Sequence, residues 1–162
     1  MSKTYIDRIK KPGKTDLVYF YPPEYYVFDN FSSFQIEYDG YLWPTSEHAY
    51  QASMFKETFP AVFLKIKKAR SAHDAYKLAK KHKVKVPKDW NTRMKTVMKD
   101  ILRHKIDQHP YVLKKLLESG KREIIEDSWR DSTWGWGEYK DGNNLLGKIW
   151  MELREEYQKK TF

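Results

Sequence analysis

A chain of 162 residues with 40% apolar side chains is long enough for one domain with a core of its own. It has no cysteine, which excludes disulfides, thiolate metal ligands and a thiol nucleophile, and no apolar run reaches the length of a membrane span. A net charge of +9 points to phosphorylated, polyanionic or acidic partners.

Aromatic residues make up 16% of the chain, more than a deep core needs, so some are expected to line a cleft where flat rings stack on a base. No signal-peptide pattern is present, and the protein is expected to be cytoplasmic.

Residues 1–16 are polar and read as a flexible basic arm, with the folded domain over 17–162. Leu17-Val-Tyr-Phe20 predicts a short strand. The paired prolines of Tyr21-Pro-Pro-Glu-Tyr-Tyr26 predict a loop. Phe28-Asp-Asn-Phe-Ser-Ser-Phe34 predicts turns anchored by three Phe. Gln35-Ile-Glu-Tyr38 and Tyr41-Leu-Trp43 flank Asp39-Gly40, a strong hairpin signal.

Pro44, Thr45 and Ser46 end that hairpin and offer caps for a helix from about Ser46. Glu47 then falls in the first turn, where the helix dipole favours a carboxylate. Glu47, Tyr50, Gln51 and Met54 share one face at i, i+3, i+4 and i+7. An acid, a phenol and an amide on a mostly apolar helix are either a cap with two edge groups or the lining of a polar site.

A helix is expected over 60–69, with Pro60 at its start and Val62, Phe63 and Ile66 on one face. Ser71-Ala-His-Asp74 resembles a capping box for a helix to about His82, with Ala75, Leu78 and Ala79 as its apolar stripe. A basic loop, His82–Lys88, follows. Asp89 is expected to cap a long helix from Trp90 to about Gln108, with Trp90, Met98, Ile101, Leu102 and Ile106 among its apolar positions. Pro110 and Gly120 bracket another helix, and Arg122–Glu126 reads as a short buried strand. The last helix starts near Asn143 or Asn144, with Leu145, Leu146, Ile149, Trp150, Leu153 and Tyr157 inward. The fold class is therefore mainly helical α+β, with a few short strands near the cleft and the 90–108 and 144–158 helices in the core.

Two further stretches stand out. Residues 65–105 carry fifteen Lys or Arg against Asp74, Asp89 and Asp100, either a solvated surface or an electrostatic funnel. Glu126-Asp-Ser-Trp-Arg-Asp-Ser-Thr-Trp-Gly-Trp-Gly137 packs three Trp around Gly135 and Gly137, which permit close backbone approach. Asp131 within it is either a turn former or a partly desolvated carboxylate tuned for catalysis. No cluster has metal-ligand spacing, so no metal is expected.

Trp43-Pro-Thr-Ser-Glu-His-x-Tyr-Gln-Ala-x-x-Phe55 resembles the signature of the NADAR family, also called YbiA-like. Asp131-x-x-Trp-Gly-x-Gly137, Gly142-x-Asn-x-Leu-Gly147 and Met151-x-x-Arg154 follow that family's C-terminal pattern, and Trp90, Val97-Met98, Lys105 and Gln108 match its central helix. The resemblance covers roughly residues 18–155. Phe31, Ser32 and Phe34 match a pocket-bordering Phe-Ser-Asn-Phe stretch, with Ser33 in place of the Asn. Met54 stands where the family commonly has lysine, so no imine with an opened ribose can form there. Lys56 lies about 200° further round a helix.

The resemblance implies an N-glycoside hydrolase, free of cofactors, that separates a phosphoribose or ADP-ribose from an amine or base. Phosphoribosylamino-pyrimidine intermediates of riboflavin synthesis and ADP-ribosylated guanine, in DNA or RNA, are the implied substrates. Such a bond breaks as positive charge builds on the ribose, which a carboxylate stabilises while an acid or water protonates the departing base. The implied catalytic pair is Glu47, nearer the ribose, and Asp131. Trp90, Trp134 and Trp136 are candidates to stack on the base, and Tyr50 and Gln51 to hold ribose hydroxyls. Trp43, Met54, Phe31, Ser32, Gly135, Gly137 and Asn144 complete the expected substrate site. Arg70, Arg93, Lys105 or the backbone near Gly137 would take a phosphate, with Lys105 supported by the motif. Arg154 is otherwise read as a surface ion pair and Asn144 as a helix cap. The alternatives are a catalytically impaired ADP-ribose or NAD-binding module, which Met54 favours, and a general RNA or single-strand binding protein.

Overall fold

The computed structural model describes residues 17–19 and 23–161; the expected basic arm and Phe20 lie outside the described residues. The chain is mainly helical α+β and forms two compact units. Asn30–Leu113 makes one, and the described residues before Asn30 and after Leu113 make the other. Of the two long helices expected in the core, one belongs to each unit. No helix among the described residues is long and apolar enough to cross a membrane.

In the Asn30–Leu113 unit, strands β2 (Ile36–Tyr38) and β3 (Tyr41–Trp43) pair antiparallel, with Glu37 opposite Leu42. Asp39 and Gly40 both have positive φ, 52° and 78°, giving the two-residue turn whose twist matches the strands. The hairpin then feeds helix α1 (Ser46–Ser53). Every residue of α1 from Ser46 to Ala52 is buried, because α2 (Pro60–Lys67), α3 (Ala72–Lys81) and α4 (Trp90–Gln108) all pack around it. On α3 the buried stripe is Ala72, Ala75 and Ala79, with Leu78 only half-buried. The basic loop contains a 3-10 turn, Lys83–Lys85.

Asp89 occupies the cap position of α4 but makes no capping bond. Its backbone (φ −87°, ψ 5°) is not extended, and its carboxylate pairs with Arg93 at 3.1 Å instead. At the other end of α4, Gln108 accepts from Glu37 N–H (2.7 Å) and donates to Glu37 C=O (2.8 Å), which satisfies the outer edge of β2.

In the other unit, β1 (Leu17–Tyr19) and β4 (Glu123–Ile125) pair in parallel, and helix α6 (Leu145–Lys160) packs on β4. The proline stretch expected as a loop runs into a kinked 3-10 helix, Pro23–Phe28. Pro23 fits there because the first helical residue needs no N–H. Phe28 is buried against Trp150, whose indole donates to Phe28 C=O at 3.0 Å. Phe31 is 41% exposed, unlike the buried Phe28.

Helix α5 (Pro110–Glu118) ends as expected, with Gly120 at φ 63° beyond it. Arg154 is not a surface ion pair. It is buried, and its guanidinium donates to Ser119 Oγ (2.9 Å) and Arg122 C=O (2.7 Å), in the segment that follows α5. Burial, with Arg122 close by, lowers its pKa.

Candidate active site

The candidate site in the Asn30–Leu113 unit is built on α1. Thr45 is its N-cap, extended at φ −147°, with its hydroxyl accepting from His48 N–H at 3.2 Å. The same hydroxyl meets His48 Nδ1 at 2.8 Å, and His48 Nε2 meets Ala69 C=O at 3.0 Å. A carbonyl only accepts, so Nε2 carries the proton and Nδ1 receives the Thr45 hydroxyl. Burial lowers the pKa of His48, with the Ala69 bond opposing it. This neutral imidazole ties the start of α1 to the segment between α2 and α3.

Glu47, next to it, is only 6% exposed. Gln51 Nε2–H donates to Glu47 Oε1 at 2.7 Å, so the amide one turn on orients the carboxylate. Glu47 N–H donates to Asn30 C=O at 3.1 Å. Asn30 Nδ2–H donates to Met98 Sδ at 3.4 Å, but Asn30 Oδ1 and the Oγ of Ser46, the residue before Glu47, are buried and have no hydrogen-bond partner among the described residues. Such atoms are rare in a folded interior and call for a ligand or water. Tyr50 and Trp90 meet on the same unit, rings 5.7 Å apart, and the indole N–H donates to Tyr50 Oη at 3.4 Å.

Asn30 corrects the register of one motif. Phe28-Asp29-Asn30-Phe31 fits Phe-Ser-Asn-Phe with the amide present, whereas Ser33 is exposed. The missing amide is thus supplied three residues earlier. Asn30 and His48 were both within the quoted strings; the hydrogen bonds that single them out have no sequence signature.

The other expected residues fall in several places. Lys105 is fully buried, and its ammonium donates to Ser32 Oγ at 3.1 Å and lies 5.1 Å from the Phe34 ring centre. Arg93 lies over Trp90 at 5.6 Å and pairs with Asp89, while Arg70 is exposed. Trp43 packs edge-on against Phe63 and donates to Tyr38 C=O at 3.0 Å, a core role. Met54 is half-buried at the end of α1. Lys56 pairs with Asp39 and does not replace an amine at 54. An open groove of about 600 Å³ lies along Glu37–Leu42, His104 and Gln108 and contains none of the expected site residues. Its Tyr38 phenol is pushed up to about 12 by burial, then by Asp100 and Asp39.

Asp131, Trp134, Trp136, Gly135, Gly137 and Asn144 belong to the other unit. Asp131 Oδ1 accepts from Thr133 N–H and Trp134 N–H, each at 2.8 Å, which makes it a turn former. Carbonyls of Ser132, Gly135, Thr133 and Trp134 accept from the N–H groups of Asn143, Asn144, Leu145 and Leu146. The tryptophan-glycine loop thereby satisfies the N-terminal donors of α6. Asn144 is not a side-chain cap. It sits at φ 48°, its Nδ2–H donates to Ile124 C=O (2.9 Å), and its Oδ1 accepts from Glu126 N–H (3.0 Å). Trp136 is buried, with its indole donating to Asp127.

The NADAR domain model matches residues 19–158. The chain belongs to the NADAR family. N-glycosidase YbiA of Escherichia coli is 32% identical over 151 residues, spanning 92% of this chain and 93% of that protein. The NMR structure of E. coli YbiA superposes with a TM-score of 0.81 at 31% identity, covering 95% of this chain and 92% of that one. The riboflavin biosynthesis protein VVA0006 of Vibrio vulnificus is 35% identical over 143 residues, 87% of this chain but 38% of that protein. Membership of the NADAR family and these relatives support the expected class of enzyme, a hydrolase of N-glycosyl bonds.

Proposed function

We propose that this NADAR protein hydrolyses the bond between a phosphorylated ribose and the amine of a pyrimidine intermediate. The observation that carries this reading is the buried Glu47 carboxylate, held by Gln51, together with the unpartnered buried Oδ1 of Asn30, whose backbone C=O takes Glu47 N–H, and Oγ of Ser46, the preceding residue. A buried carboxyl group with unsatisfied polar neighbours weakens a core, and it is explained when a polar substrate completes the set. The choice of a pyrimidine amine draws on the riboflavin-biosynthesis name of the Vibrio relative.

In the proposed reaction the ribose C1′–N bond breaks and a water oxygen joins C1′. The departing nitrogen takes up a proton. Glu47 faces the carbon on which positive charge develops, or takes the proton of the attacking water. Asn30 Oδ1 and Ser46 Oγ hold ribose hydroxyls. The proton for the departing nitrogen comes from water or a second acid; Asp131, which the family pattern offers for that part, is tested by substitution.

The test is to incubate the protein with the phosphoribosylamino-pyrimidine and, separately, with ADP-ribosylated guanine DNA, and to follow release of free base. Release from the pyrimidine substrate, falling about 10²–10⁴-fold in Glu47→Gln, is expected. The substituted amide oxygen still accepts from Gln51, so the fold is retained. Release from guanine DNA alone would replace the substrate. Heat protection by ADP-ribose with no product from either would make the chain a binding module.

A further inference from the structure

Helix α3 buries Ala72, Ala75 and Ala79 and leaves His73, Tyr76, Lys77 and Lys80 outside, at i, i+3, i+4 and i+7. The His73 and Tyr76 rings are stacked, with centroids 6.5 Å apart and planes 22° from parallel. The Lys80 ammonium lies 5.9 Å from the Tyr76 centroid. The exposed run continues through Lys81 to Lys83 in the following 3-10 turn.

Charge on this face is uncompensated. Residues 65–88 hold ten Lys or Arg and a single acid, Asp74. Four lysines elsewhere find carboxylates close by: Lys56 with Asp39, Lys115 with Glu118, Lys140 with Asp127 and Lys159 with Glu155. Lys77, Lys80, Lys81 and Lys83 form no ion pair among the described residues.

We propose that this outer face of α3 binds single-stranded nucleic acid, with the ammonium groups on successive phosphates and the His73–Tyr76 pair against a base. Interleaved rings and point charges suit a strand whose bases are unpaired and whose backbone is anionic, without reading its sequence. An anionic membrane would engage a broad aliphatic surface, and this run offers a single exposed aliphatic side chain, Val84 in the 3-10 turn. Helix α3 packs on α1 through its alanine side, so the surface is separate from the Glu47 site.

The experiment measures fluorescence anisotropy of a labelled mixed-sequence oligonucleotide of about 15 nucleotides across a salt series. Three proteins are compared: wild type, Lys77→Glu/Lys80→Glu/Lys83→Glu, and Tyr76→Ala. All the changed side chains are exposed, and circular dichroism checks the fold. The triple variant is expected to bind at least about tenfold more weakly at low salt, with the log–log salt slope reduced by about 2. Tyr76→Ala is expected to lose about fivefold or more at an unchanged slope. Base release from the small substrate stays at the wild-type level in all three. Absence of oligonucleotide binding by wild type at low salt overturns the proposal. So do equal affinity in the triple variant, wild-type affinity in Tyr76→Ala, and binding of phosphatidylserine vesicles without binding of the oligonucleotide.

Discussion

Gly147→Ala tests how the family's C-terminal glycine motif works, because the structure reverses the sign that helix propensity alone predicts. In an ordinary helix the change stabilises by about 1 kcal/mol. Here an added Cβ would lie 2.1 Å from Ile124 C=O and 2.5 Å from both side-chain polar atoms of Asn144. That first separation is about 1 Å or more short of an ordinary contact, so α6 has to move off β4. The movement lengthens the two bonds Asn144 makes to Ile124 C=O and Glu126 N–H. Overpacking costs about 1–3 kcal/mol and each lost bond about 1 kcal/mol, against the propensity gain of about 1 kcal/mol. The net is a loss of about 2–4 kcal/mol, or a fall in Tm of about 5–15 °C for a chain of this length. Thermal unfolding followed by circular dichroism reads it directly. A Tm equal to or above wild type would refute the close-packing argument.

The remaining expectations concern the candidate site. Asp131→Asn keeps an oxygen to accept from Thr133 and Trp134 N–H, so its Tm should hold while base release falls about 10²-fold; retained activity would leave Asp131 as a turn former only. Asn30→Ala removes a buried oxygen that has no partner along with one weak bond, Nδ2–H to Met98 Sδ at 3.4 Å, and these offset, so the stability of the free protein should change by less than about 1 kcal/mol. The same variant should lose most of the rise in Tm that ribose 5-phosphate gives wild type, and an equal rise in both would remove Asn30 from the site. His48 has a lowered folded pKa, so the native state binds fewer protons than the unfolded chain between that value and 6.5. Its contribution is fully present above pH 6.5 and is lost as pH falls through the folded pKa, and His48→Gln should flatten the Tm–pH curve in that window. Borohydride added during turnover should trap no covalent adduct, since Met54 has no amine and Lys56 is paired with Asp39; a mass increase on any lysine would replace carboxylate chemistry with imine chemistry.

Much of the fold was legible because its boundaries are marked by residues with one dominant physical preference. Asp39-Gly40 demands positive φ, Thr45 and Ser71 supply capping hydroxyls, and Pro60 and Pro110 open helices. Reading failed where a residue type serves two geometries. Asp89 has the chemistry of a cap but not the backbone angles for it, and Pro23 begins a 3-10 helix where two prolines suggested only a loop. Arg154 and Asn144 were misread for a related reason. Their partners, mostly backbone groups, lie about 30 and 20 residues away, and such long-range bonds leave no local pattern.

The site was legible as a set of residue types rather than as roles. The acid, phenol and amide on one face of α1 are all buried, but Gln51 turns to Glu47, and Tyr50 pairs with Trp90. The glycine and asparagine positions that resemble the family pattern between Asp131 and Gly147 seat a helix, since loop carbonyls take the N–H groups of α6 and Gly147 admits the β4 backbone. Stability and chemistry therefore separate along the chain. Gly142, Asn144, Leu146, Gly147 and Arg154 each have a packing or backbone-bonding reason to be there, whereas Glu47, with polar neighbours left unpartnered, makes α1 a poorer core helix than an apolar one would be. A local rule broken without structural gain is the mark of a working site. Substitutions in 142–154 should therefore act first on Tm, and those at Asn30, Ser46 and Glu47 first on turnover.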